Sequence, residues 1–274
     1  MIEIMPSVFK EELSDCAVYY IEDLSDEFKQ ELRKRLVAIC HGVDQATSKR
    51  KIYSYKATVK EFVRRYKTND DNSENRKKGM IGELLVHVLL EMDGHFTIAS
   101  PFFNLEERSF KKGFDVALFE ESSGELWITE VKSGTKQQKQ KDASSAIVGL
   151  INTAKNDLKG RLNEENTSLW LNAIHAAESA MSKAGQQKDA VIDLLEQCAD
   201  DAEEGTNAST TFNVVLAGAL FHPMLEHMEP KKIEAKQAKV VKENLFRKVF
   251  VLAIQKGTFE AVYKFLESEA RNEV

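Results

Sequence analysis

The chain has 274 residues, 42% of them hydrophobic and 30% charged, which sets disorder aside and allows one large α/β domain or a core domain with an N-terminal extension. Thirty-eight basic against 44 acidic residues give a net charge of −6, so there is no general attraction for a polyanion and any nucleic-acid contact must be local. Cys16, Cys40 and Cys198 are odd in number and far apart, suggesting neither a disulfide framework nor a CxxC metal site. With no signal-like start and no apolar run of bilayer length, the expectation is a cytoplasmic protein without a membrane segment.

Phe28, Leu32, Leu36 and Ile39 recur at helical spacing between Asp26 and Cys40, and Gly42 can terminate that helix in a left-handed conformation. Residues 1–70 are read as a mixed, mostly helical extension. Within it, Lys49 to Lys67 interleaves Tyr53, Tyr55, Phe62 and Tyr66 with basic side chains. Such a stretch suits either phosphates and bases or an amphipathic helix with a solvated basic face. From Ser73 to Met92 a core helix is predicted, with Met80, Ile81, Leu84, Leu85, Val88, Leu89 and Met92 on one face and Gly94 after its end.

Three short segments rich in aromatic and β-branched residues follow, His95 to Phe103, Gly113 to Phe119 and Leu126 to Lys132, and read as a three-stranded meander. Asp142 to Leu158 has helical period, and further helix runs from Leu169 to about Cys198, followed by an acidic stretch from Glu196 to Glu204 that repels nucleic acid. Phe212 to Phe221 and Lys248 to Gln255 are apolar runs suited to strands buried on both faces, and a helix closes the chain. This order predicts an α/β domain over 71–274, a mixed sheet flanked by helices, with a helical insertion around 160–208.

The chemistry concentrates in the meander. Asp115 interrupts one apolar strand, and Glu130 and Lys132 interrupt the next, where alternation puts both on one face. A hairpin symmetric about Ser122 and Ser123 pairs Asp115 with Glu130, with Cβ atoms ~5 Å apart. Facing carboxylates repel unless one is protonated, Lys132 compensates, or a divalent cation lies between them. Oxygen ligands without a His or Cys cluster suit Mg²⁺ or Mn²⁺. The competing structural reading is an Asp115–Lys132 ion pair across the strands, with Glu130 at an exposed strand end.

An Asp, a hairpin and then Glu-x-Lys, preceded by a helix with Gly-Glu, resembles the PD-(D/E)xK nuclease core. The motif residues here are Gly113-Phe114-Asp115 and Glu130-Val131-Lys132, without the Pro that names the motif. The resemblance implies a restriction-endonuclease-like fold and a metal-dependent deoxyribonuclease. It also implies Asp115 and Glu130 as metal ligands, Lys132 as base or stabiliser, and Glu83 of Gly82-Glu83 as an auxiliary ligand. Through the Gly-Glu helix, Gly-Phe-Asp-Val and Trp-x-x-Glu-Val-Lys, the chain is more narrowly similar to the nuclease subunits of the Hachiman anti-phage defence system. That similarity implies a DNA-degrading effector held in check by a superfamily 2 helicase/ATPase encoded alongside.

After the triplet, Ser133, Lys136, Gln137, Lys139 and Lys141 form a polar, basic connection that can track a phosphate backbone or simply be a solvated loop. The six histidines lack HxxxH or HExxH spacing, and there is no glycine-rich phosphate loop or GxSxG elbow, so zinc, ATPase and serine-hydrolase chemistry lack support. Trp127 and Trp170 are expected in the core. The alternative to an enzyme is a catalytically silent domain of the same fold that binds nucleic acid or protein.

Overall fold

A computed structural model describes residues 1–67, 74–103, 114–164, 166–183 and 186–271. Its described strands form one eight-stranded sheet in the order β1-β2-β3-β8-β7-β6-β5-β4. The strands are β1 (Ile2–Met5), β2 (Val8–Leu13), β3 (Cys16–Ile21), β4 (Thr97–Ile98), β5 (Val116–Glu120), β6 (Glu125–Thr135), β7 (Asn213–Phe221) and β8 (Lys248–Lys256). The helices are α1 (Asp26–His41), α2 (Val43–Ala46), α3 (Tyr55–Lys67), α4 (Glu74–Asp93), α5 (Ala143–Leu162), α6 (Thr167–Ala180), α7 (Gln186–Glu203), α8 (Pro230–Lys242) and α9 (Glu260–Arg271).

The mixed α/β class and the antiparallel β4-β5-β6 meander are as expected, and β7 is buried along its whole length. The expected strand start at Gly113 and helix start at Ser73 lie outside the described residues. Two readings need correction. The N-terminal region is helical only from Asp26 onward: the first 21 residues are strands, and β3 pairs in parallel with β8. The signal was present in Cys-Ala-Val-Tyr-Tyr-Ile, an apolar run of strand length that is buried throughout. The second omission is α8, which joins the parallel neighbours β7 and β8, a pairing that requires a crossover rather than a turn. Its sequence is mostly charged, but Pro230 at the first turn and buried Ile233 and Val240 mark it.

Two apolar layers sandwich the sheet. Residues of α1, α3, α4 and α9 pack with Val131, Val215, Ala217, Leu252 and Ile254 on one face, and those of α5 to α8 pack with Ile128, Val214, Leu216, Val251 and Ala253 on the other. Within α3 the aromatic side chains turn inward: Phe62 and Tyr66 are buried, Phe62 stacks on Phe102, and Tyr66 stacks on Tyr263 at 4.0 Å between centroids. The Lys49–Lys67 stretch is therefore an amphipathic helix with its preceding loop, and the Phe62 and Tyr66 rings are not offered to bases, while Tyr53 and Tyr55 are partly exposed. At the end of α1, Gly42 has φ 95°, and a Cβ there would lie 2.2 Å from the Ser179 carbonyl oxygen of α6, so glycine is required.

Candidate carboxylate and lysine centre

The β5–β6 hairpin has the register expected from symmetry. Val116 faces Thr129 and Glu120 faces Glu125, so one step beyond the end of β5 brings Asp115 opposite Glu130. Where β5 stops, the Asp115 side chain takes over the pairing: its Oδ2 accepts a hydrogen bond of 2.8 Å from the Val131 amide. Alternation along β6 sends Val131 toward the α4 layer and Ile128 toward the α5 layer, and Glu130 and Lys132 follow Ile128.

Two side chains of α5, one turn apart, meet them there. Arg161 Nη2 donates to Glu130 Oε1 at 2.7 Å, and Lys132 Nζ donates to the same oxygen at 2.7 Å. Lys132 Nζ also lies 2.8 Å from Asp157 Oδ2. Glu130 has 0% of its surface exposed, which removes the reading in which it sits at an exposed strand end. Its second oxygen, Oε2, is buried and has no hydrogen-bond partner among the described residues.

Burial pushes the Glu130 carboxyl up to about 7, and the neighbouring Asp115 charge adds to the rise, while Arg161 and Lys132 oppose it. For Lys132, burial acts to lower the pKa, but hydrogen bonds to Asp157 and Glu130 outweigh it and hold the amine above its ordinary value. The site therefore presents a charged ammonium at neutral pH beside a carboxylate that is costly to keep ionised.

Glu83 is partly exposed on α4, directly after Gly82, whose position against Ser133 of β6 and Ala219 of β7 seats the helix on the sheet. Among the described residues no three His, Cys, Asp or Glu side chains converge as a ready-made metal cluster. The centre is thus built around the Asp115–Glu130 pair. Ser133 lies within β6 and is partly exposed, its hydroxyl buried and without a partner among the described residues. Lys136 is partly exposed and Lys139 is exposed on the connection to α5.

Sequence reasoning passed over Asp157 and Arg161. Within Ala154-Lys155-Asn156-Asp157-Leu158-Lys159-Gly160-Arg161 they look like ordinary solvated helix charges, and only the seating of α5 turns them toward β6. A separate cavity of about 880 Å³, lined by Lys10, His95, Trp127, Arg247 and Phe250 among others, includes none of Glu83, Asp115, Glu130 and Lys132.

The fold and centre define a mixed-sheet α/β protein whose inner strand carries a Glu-x-Lys pair with its glutamate buried, faced by an aspartate preceding the adjoining strand. The chain belongs to the HamA family, whose family model matches residues 5–265 of the 274. Family membership makes it a component of the Hachiman anti-phage defence system. No curated protein matches the chain at a significant level. No helix among the described residues is long and apolar enough to cross a membrane.

Proposed function

We propose that the protein is a metal-dependent nuclease that cleaves DNA phosphodiester bonds as the effector of its defence system, under the control of a partner helicase. One observation carries the reading: Glu130 is fully buried opposite Asp115, with Oε1 taken by two cations and Oε2 left without a partner among the described residues. An unsatisfied buried carboxylate oxygen is expensive, and a fold keeps one where a ligand completes it. Asp115 and Glu130 are the proposed holders of Mg²⁺ or Mn²⁺, which commonly bind through one or two carboxylates with the remaining positions left to water and substrate phosphate. When bound, such an ion supplies Lewis acidity and makes a water molecule acidic enough to attack phosphorus.

The chain's own groups then have distinct tasks. Lys132 is held charged, so it suits stabilisation of the negative charge that grows on the phosphoryl oxygens, and a proton-accepting role fits it less well. Arg161 holds Glu130 in one orientation through Oε1. Lys136 and Lys139, on the connection leaving β6, are suited to tracking the phosphate backbone. Glu83 is assigned an auxiliary part on the strength of the motif alone. The net charge of −6 suits an enzyme delivered to DNA by a partner, because its own long-range field does not attract the substrate.

The absence of a third converging ligand among the described residues favours a second reading, a catalytically silent interaction module. Both are decided by incubating the protein, alone and with its partner and nucleotide, with supercoiled and linear DNA in Mg²⁺ or EDTA. Cleavage that needs the cation and falls about 100-fold or more in Glu130→Ala and in Lys132→Ala is the expected result, with Glu83→Ala run alongside. Identical behaviour of wild type and variants under every condition sinks the catalytic reading in favour of the module.

A further inference from the structure

Lysine side chains carry four flexible torsions, so a lysine that stabilises a transition state at a fixed point needs more than a position on a strand. We propose that Asp157 is a positioning residue, which holds the Lys132 ammonium beside Glu130 so that it stands ready for the scissile phosphate. The catalytic consequence of this contact rests on the nuclease reading given above, whereas the positioning itself does not.

The geometry carries the inference. The Lys132 ammonium is gripped by two carboxylates from different elements, Glu130 of β6 at 2.7 Å and Asp157 of α5 at 2.8 Å. An ammonium has three donors, so two opposed grips fix the nitrogen and leave one donor for a further acceptor. Asp157 is held in turn by the seating of its helix: Ala154 and Leu158 on either side of it are fully buried. Gly218 of β7 is packed so closely under Ile147 and Ile151 that an added Cβ would lie 2.7 Å from Ile147 Cδ1, so α5 lies hard against the sheet. The contact also differs from a decorative surface pair, which contributes little. Its lysine is only 26% exposed and shares its charge with a carboxylate that is 0% exposed. A short, half-exposed Asp, 45% accessible, on the solvent side of such a lysine can direct it without desolvating a further charge.

Two readouts test the assignment, one of them independent of cleavage. A gripped ammonium exchanges its protons slowly enough for the Lys132 ¹⁵Nζ resonance to be observed, with the signal assigned by its loss in Lys132→Arg. The expected result is that Asp157→Ala abolishes this resonance while the urea midpoint and the Mn²⁺ affinity by calorimetry stay within twofold of wild type. In the cleavage assay the same variant lowers kcat at least tenfold with KM for DNA within twofold, and Asp157→Glu restores part of both signal and rate. Asp157→Asn, which keeps the shape, replaces the alanine variant if that one does not fold. A Lys132 resonance that persists without the Asp157 carboxylate, or an unchanged kcat in a cleaving enzyme, overturns the proposal. If the resonance is lost in Asp157→Ala but wild type never cleaves DNA, the positioning contact stands and the nuclease reading falls.

Discussion

His87 and Glu130 are both fully buried titratable groups, and they load the fold in opposite directions. Both ring nitrogens of His87 lack partners among the described residues, and the ring lies edge-on to Phe102 at 5.7 Å between centroids. Burial alone pushes its pKa down to about 3. The unfolded chain therefore takes up a proton near pH 6.5 that the folded state refuses until about 3. Stability from this residue is complete above 6.5 and is lost, at up to about 1.4 kcal/mol per pH unit, as the pH falls through that window. Glu130 has the reverse sign: its folded pKa of about 7 lies above the unfolded value, so stability declines as the pH rises from about 4.5 toward 7. Comparing variants separates the two effects. Between pH 7.5 and pH 5, His87→Leu should lose about 2 kcal/mol less stability than wild type by urea unfolding, and equal losses would show that His87 is protonated in the folded state.

At the scale of elements, two glycines of α4 make the packing of that helix measurable. A Cβ at Gly82 would lie 1.9 Å from Ser133 Oγ and 2.9 Å from Ala219 Cβ, whereas at Gly79 it would meet nothing within 4 Å. Alanine has the higher helix propensity at both positions, by about 1 kcal/mol. Gly79→Ala should therefore stabilise the protein by up to about 1 kcal/mol. Gly82→Ala forces α4 away from β6 and β7, and a net loss of about 1–3 kcal/mol is expected. Thermal or urea unfolding of the two variants decides it, since parallel gains would mean that α4 is not seated on the strand that carries Glu130 and Lys132. For helix α3 the sequence left an amphipathic helix and a stretch facing phosphates and bases both open, because basic and aromatic residues alternate there without a clear polar face.

At the scale of the molecule, residues 2–21 belong to the same sheet as the candidate centre. β3 covers the edge of β8 along six paired positions, and the Tyr20 hydroxyl reaches across to the Met228 carbonyl at 2.7 Å. Removing the first 24 residues would expose a long apolar strand edge, which is a template for aggregation. The truncated chain 25–274 should collect in the insoluble fraction, while the full chain stays soluble under the same expression conditions. A truncated protein that is monomeric by gel filtration, with a wild-type melting temperature, would show that β1 to β3 are an independent addition.

The amino-acid sequence alone determined the features that depend on short range. A turn symmetric about Ser122 and Ser123 sets the pairing of Asp115 with Glu130, and strand alternation puts Glu130 and Lys132 on one face, because both follow from local periodicity and hairpin geometry. The α4 and α5 helices, the meander and the buried β7 were likewise legible from their apolar patterns. Only the tertiary structure decided which distant groups complete the centre. Asp157 and Arg161 are polar residues on a helix whose apolar stripe fixes its axis but does not reveal what its flanking charges will face. The parallel union of β3 with β8, whose partners such as Cys16 and Val251 lie far apart in the chain, was equally hidden, since parallel pairing leaves no turn to mark its register.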